Sequence, residues 1–94
     1  MFRVQFDEIG KASEQVYLKK VDKINAINEN EVLIEVICFP INPADILLVE
    51  GKYANKPKFP SLMGAECIAK VKKISNTIRK FKIGDIVIQL VRDN

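Results

Sequence analysis

The side chains that could do chemistry in this 94-residue sequence are few, and their types narrow the field. There is no His, which removes the usual proton shuttle, the nucleophile–imidazole pair and the commonest zinc ligand together. The two cysteines, Cys38 and Cys67, cannot fill a structural zinc site, which normally takes four nitrogen or sulfur ligands. A self-contained metal or triad hydrolase is excluded, and no metal site is expected. What remains is charge. Residues 1–50 carry 5 basic and 9 acidic side chains and residues 51–94 carry 10 basic and 3 acidic ones, a net of −4 against +7. Lys52, Lys56 and Lys58 open the basic half, and Lys70, Lys72, Lys73, Arg79, Lys80 and Lys82 continue it without forming one block. That distribution reads either as solvated strand faces and turns or as a positive field that attracts a phosphate-bearing ligand. No nucleic-acid motif appears and the few aromatics are not interleaved with the basic residues, so nucleic acid is not expected as a partner.

The elements that must carry these side chains are mostly short strands. Residues 31–39 alternate, with Val32, Ile34, Val36 and Cys38 on one face and Glu31, Leu33, Glu35 and Ile37 on the other, as in a half-buried strand. Residues 65–74 do the same, with Cys67, Ala69 and Val71 together and Lys70 and Lys72 opposite. Residues 85–91 form a third strand rich in Ile and Val, and 2–6 and 15–21 are weaker ones. Turn formers separate them at Asn28-Glu29-Asn30, Ser75-Asn76 and Gly84-Asp85. One segment is punctuated as a helix of roughly two turns. Asn42 is a favoured N-cap, Pro43 suits the first position, Asp45 complements the positive helix end, and Gly51 ends the apolar run Ile46-Leu47-Leu48-Val49. The run from Lys52 to Pro60, with Pro57 inside it, is an irregular surface loop. The fold expected is mostly β: one domain over residues 1–94, a small, partly open barrel with one short helix.

Nothing reads as a membrane span or a targeting segment. The longest unbroken apolar stretch, 36–41, is far below the roughly 18 residues a membrane helix needs. Cys38 and Cys67 lie in apolar runs, where a free thiol behaves as a small hydrophobe. The expectation is a cytoplasmic chain with both thiols reduced and in the core, an organelle remaining open for a longer precursor.

Beyond periodicity, five motifs occur in order. They are Asn42-Pro43-Ala44-Asp45, Gly51-Lys52-Tyr53, Pro57-Lys58-Phe59-Pro60, Gly64-Ala65-Glu66-Cys67-Ile68-Ala69-Lys70-Val71 and Phe81-Lys82-Ile83-Gly84-Asp85-Ile86-Val87. At this spacing the sequence resembles the N-terminal part of medium-chain dehydrogenase/reductases. The resemblance implies a GroES-like β-barrel, the catalytic domain of those enzymes. Where zinc alcohol dehydrogenases place a Cys this sequence has Asn42, and no His follows Glu66. The likeness is therefore to the zinc-free branch, the quinone oxidoreductases and 2-enoyl thioester reductases, and zinc is not an expected cofactor. Ala69 and the 51–60 loop lean toward the thioester reductases, whereas Leu47, Leu48 and Ser75 depart from their pattern.

By this resemblance the chemistry is reduction by NADPH of a double bond conjugated to a carbonyl, in an enoyl thioester, an enone or a quinone. Tyr53 matches the family's tyrosine and is the candidate proton donor; its plainer reading is a loop tyrosine packed on the barrel. Asn42 lies by resemblance where substrate carbonyl and nicotinamide meet, although an N-cap needs no further role. Lys52, Lys56 and Lys58 are candidates for holding the phosphates of a coenzyme A or carrier-protein substrate. Glu66 reads as an ion-paired structural carboxylate, and Asp85 as a turn residue. No Gly-x-Gly-x-x-Gly follows any strand, so the nucleotide-binding Rossmann domain of the family is absent from this sequence. The chain alone is expected to bind NADPH feebly and to lack turnover, and a homodimer is the assembly envisaged for the full-length protein. The rival reading is a stand-alone GroES-like interaction module of the co-chaperonin type.

Overall fold

The computed structural model describes residues 1–54 and 56–90. Its elements are β1 (Phe2–Phe6), α1 (Ala12–Gln15), β2 (Tyr17–Lys20), β3 (Val32–Cys38), α2 (Pro43–Val49), β4 (Ser61–Leu62), β5 (Cys67–Ile74) and β6 (Ile86–Gln89). Strand pairing gives two antiparallel three-stranded sheets rather than one closed ring, ordered β2-β1-β4 and β3-β5-β6. They belong to two compact units, Met1–Lys23 with Ile41–Gly64 and Ile24–Pro40 with Ala65–Asn94.

In the first unit β1 is the central strand, pairing Gln5 with Tyr17 on one side and with Leu62 on the other. The ends of β1 and β2 are tied by the Val21 N–H, which donates to the Met1 carbonyl at 2.9 Å. Phe6 and Val49 are fully buried here and form the apolar centre. The polar groups beside them are satisfied. Buried Gln5 donates from Nε2 to Oδ1 of Asp7 at 3.0 Å and to the Tyr17 hydroxyl at 2.7 Å, and accepts at Oε1 from Arg3 at 2.7 Å. Tyr17 in turn donates to Oδ2 of Asp7 at 2.5 Å.

In the second unit β5 is central, and its alternation holds: Cys67, Ala69 and Val71 are buried while Lys70 and Lys72 face out. Opposite them across β6 stand Gln89 and Val87, paired with Cys67 and Ala69. The turn before β6 is closed by Asp85, whose Oδ2 accepts from the Lys82 N–H at 2.8 Å, the local bonding expected of it. Before β3, Asn30 turns the chain at a φ of 64° and donates from its N–H to the Thr77 and Ser75 hydroxyls.

Several sequence expectations are corrected. The region 15–21 is not one strand, because residues 12–15 close a helical turn in which the Val16 N–H reaches the Ala12 carbonyl at 3.1 Å. The described residues thus include a second, one-turn helix, and β2 is shorter than expected. The two-residue β4, which begins directly after Pro60, was not expected. The clean two-face pattern of β3 does not hold in the burial of the strand, and its pairing with β5 slips at Leu33/Ile34 and again at Val36/Cys38. The second half of β3 is open on both faces, with every residue from Glu35 to Cys38 exposed. Val36 is 52% exposed although it pairs with buried Ala69, and Cys38, assigned to the core by sequence, is exposed, while Cys67 is buried. The charge contrast between the sequence halves also dissolves on folding. The first unit holds eight basic and six acidic residues and the second seven and six, nets of +2 and +1, because each unit takes chain from both halves. Val91, expected in the last strand, lies outside the described residues.

Candidate functional site

All five candidate residues lie in the first unit, on α2 and the loop that follows it. Asn42 occupies the N-cap with extended backbone (φ −94°, ψ 157°), and Pro43 opens the helix without wasting a donor. The Asn42 N–H donates to Oδ2 of Asp45 at 2.8 Å, and the Asp45 N–H donates to the Asn42 carbonyl at 2.9 Å. Asp45 is only 3% exposed, so its carboxylate serves the helix start and not a substrate.

The other end of α2 is closed with equal care. The Gly51 N–H donates to the Leu48 carbonyl at 3.2 Å and the Lys52 N–H to the Leu47 carbonyl at 2.9 Å. Gly51 is left-handed, with φ +74°, and a Cβ there would lie 2.9 Å from Cγ2 of Ile9. The carbonyl of Val49, the last helical residue, accepts from the Gly10 N–H at 3.0 Å. The 7–11 loop therefore packs on the helix terminus and fixes the point from which the Tyr53 loop departs.

Tyr53 stands two residues beyond this cap and is 39% exposed; its hydroxyl has no hydrogen-bond partner among the described residues. A ring so placed is open on one side and uncommitted at its polar tip, which suits a group that must reach a bound molecule. The loop comes back to the fold at Phe59, whose ring meets buried Phe6 edge-on at 6.0 Å and 77°. The cis bond between Phe59 and Pro60 then leads into β4, and the Met63 N–H donates to the Val4 carbonyl at 3.0 Å.

The three lysines are not equivalent. Lys52 is paired with Glu50 at 3.2 Å. Lys56 donates from Nζ to the Gly51 carbonyl at 2.9 Å. Lys58 is exposed and has no partner among the described residues, so it is the one of the three with its charge uncommitted. Glu66 lies in the second unit, half-buried at the start of β5. Among the described residues no group of three or more Cys, Asp or Glu side chains is placed to hold a metal ion, and no helix is long and apolar enough to cross a membrane.

Sequence reasoning missed the Arg3–Gln5–Asp7–Tyr17 network. The alternation that puts Arg3 and Gln5 on one face of β1 was visible, but the partner on β2 depended on a register the sequence did not display.

Comparison with known proteins gives the following likenesses. The family model for the alcohol dehydrogenase GroES-like domain matches residues 28–93. A mitochondrial enoyl-acyl-carrier-protein reductase from Caenorhabditis elegans is 36% identical over 75 residues, covering 80% of this chain and 22% of its own length. The protein of the same name from Arabidopsis thaliana is 37% identical over 62 residues, covering 66% of this chain and 16% of its own. Among solved structures, Escherichia coli quinone oxidoreductase complexed with NADPH superposes with a TM-score of 0.85 at 26% identity, covering 99% of this chain and 28% of that one. The mitochondrial 2-enoyl thioester reductase Etr1p/Etr2p heterodimer from Candida tropicalis gives 0.76 at 26% identity, covering 93% and 27%. The chain spans about a fifth of the length of the curated relatives it matches.

Proposed function

The chain belongs to the alcohol dehydrogenase GroES-like domain family, and from that premise we propose that it is the substrate-side domain of an NADPH-dependent reductase that saturates the double bond of a 2-enoyl thioester. The observation that carries this reading is the shared name of relatives from a worm, a mouse and a plant, all enoyl-acyl-carrier-protein reductases.

When bound, NADPH supplies a hydride to the β-carbon of such a substrate. The electron pair of the double bond then rests on the α-carbon and its carbonyl, and the α-carbon must take a proton. Tyr53 is the donor: a phenol keeps its proton available near neutrality, and this one is exposed, its hydroxyl without a partner among the described residues. The O–H bond breaks, the C–H bond forms, and the phenolate regains a proton from water, which the ring's exposure allows. Asn42, fixed at the N-cap, sits beside the substrate carbonyl and nicotinamide in this scheme. Lys58 is the lysine left to meet substrate phosphates, since Lys52 and Lys56 are engaged within the loop region. The nucleotide itself is held by a Rossmann domain outside this sequence, and zinc has no part. The substrate's acyl group arrives on coenzyme A or an acyl carrier protein, and the working assembly is a pair of full-length subunits. Because the curated relatives are mitochondrial by name, an organelle replaces the cytoplasm as the proposed location.

A second reading, reduction of a quinone, is favoured by the high TM-score to the quinone oxidoreductase. Both are tested by giving the full-length protein NADPH with a short 2-enoyl-CoA thioester or with a quinone. One saturated thioester formed per NADPH consumed supports the proposal. Turnover of the quinone alone moves the assignment to the second reading. A heptameric ring without reductase activity returns it to the co-chaperonin type of module.

A further inference from the structure

Between the Lys52 N–H and β4, the Tyr53 loop makes no backbone-to-backbone hydrogen bond among the described residues. Pro57 and Pro60 have no N–H to offer, and Lys58 has no partner among the described residues. Among the described residues the loop is held by one ring contact, Phe59 on Phe6, and one polar tie, the Lys56 ammonium on the Gly51 carbonyl at 2.9 Å. That tie spans Tyr53, joining Gly51, two residues before it at the helix terminus, to Lys56, three residues beyond it. Its inner end is fixed, because Gly51 is held by the Leu48 carbonyl and packed on Ile9. An ammonium there also complements the negative end of α2.

We propose that Lys56 is a positioning residue for Tyr53, closing the loop on the Gly51 carbonyl so that the phenol is held where the proton is delivered. The inference rests on the reading of Tyr53 as donor. It also reassigns Lys56, which the sequence grouped with Lys52 and Lys58 as a phosphate ligand. A phosphate ligand changes substrate affinity. A clamp changes the fraction of enzyme whose donor is in productive geometry, and so changes turnover at saturating substrate.

The test is the kinetics of Lys56→Met, Lys56→Arg, Tyr53→Phe and the Lys56→Met/Tyr53→Phe double variant in the full-length protein, with NADPH and a short 2-enoyl-CoA thioester. Lys56→Met is expected to lower kcat roughly tenfold or more with KM within about twofold. Lys56→Arg, which keeps a donor, restores most of the loss. In the Tyr53→Phe background Lys56→Met adds nothing further, since a clamp without a donor has nothing to position. A Lys56→Met variant with raised KM and unchanged kcat overturns the proposal in favour of a phosphate ligand, and an equal loss in both backgrounds overturns it in favour of a general structural role. A costly Tyr53→Phe beside a silent Lys56→Met removes the clamp alone. Wild-type turnover in Tyr53→Phe removes the donor reading and the clamp's purpose with it.

Discussion

The N–H of Asn42 and the carboxylate of Asp45 meet at 2.8 Å, and this contact sets where α2 begins and holds Asn42 at its N-cap. Because Asp45 is buried, Asp45→Ala leaves a donor unmet in a place water reaches poorly, and stability should fall by about 1–3 kcal/mol. Asp45→Asn keeps an acceptor and should lose less. Urea denaturation of the two variants measures the difference.

Gly51 and Gly84 both have positive φ, +74° and +95°, but only Gly51 has a neighbour in the way. Gly84→Ala should lose roughly 1–2 kcal/mol from backbone strain alone. Gly51→Ala adds a collision with Ile9 at 2.9 Å, for a further loss of about 1–3 kcal/mol. Ile9→Ala in the same chain should relieve part of that second loss, as denaturation midpoints would reveal.

Tyr17 gives the fold a pH dependence on the alkaline side. Its hydrogen bond to Asp7 raises the phenol above its ordinary value. The folded chain then holds this proton more tightly than the unfolded one. The contribution is complete below the ordinary phenol value of about 10 and is lost as pH rises through the raised value. Tyr17→Phe should remove this extra alkaline sensitivity. Comparing denaturation of the two proteins near neutrality and at about pH 11 checks it.

The thiols should separate cleanly. Cys38 is exposed and Cys67 buried, so a thiol reagent should modify Cys38 in the native protein and reach Cys67 only when urea unfolds it. Two rapidly reacting thiols under native conditions would contradict the packing of β5.

These features were unequally legible in the sequence. The cap residues of α2 announced themselves because each satisfies a local backbone requirement, and local requirements do not depend on the rest of the fold. The buried face of β5 was readable because its pairing with β6 keeps an even register. On β3 the alternation promised one covered face, but nothing among the described residues covers the second half of the strand, where 35–38 are exposed on both faces, and so Cys38 was misassigned. The charge contrast between sequence halves misled for a related reason: each folded unit draws chain from both. Tyr53 was singled out by motif order alone. Its exposure, and the different partners that Lys52 and Lys56 take, arise from contacts of the folded chain that no spacing encodes.

The central claim concerns the Tyr53 hydroxyl, and the most direct measurement is steady-state reduction of a 2-enoyl thioester by full-length Tyr53→Phe, with binding of substrate and NADPH followed separately. The account predicts that both still bind and that kcat falls by roughly 10²- to 10⁴-fold, the range for losing a general acid. Turnover equal to the wild-type protein, with the α-carbon protonated as before, would contradict it.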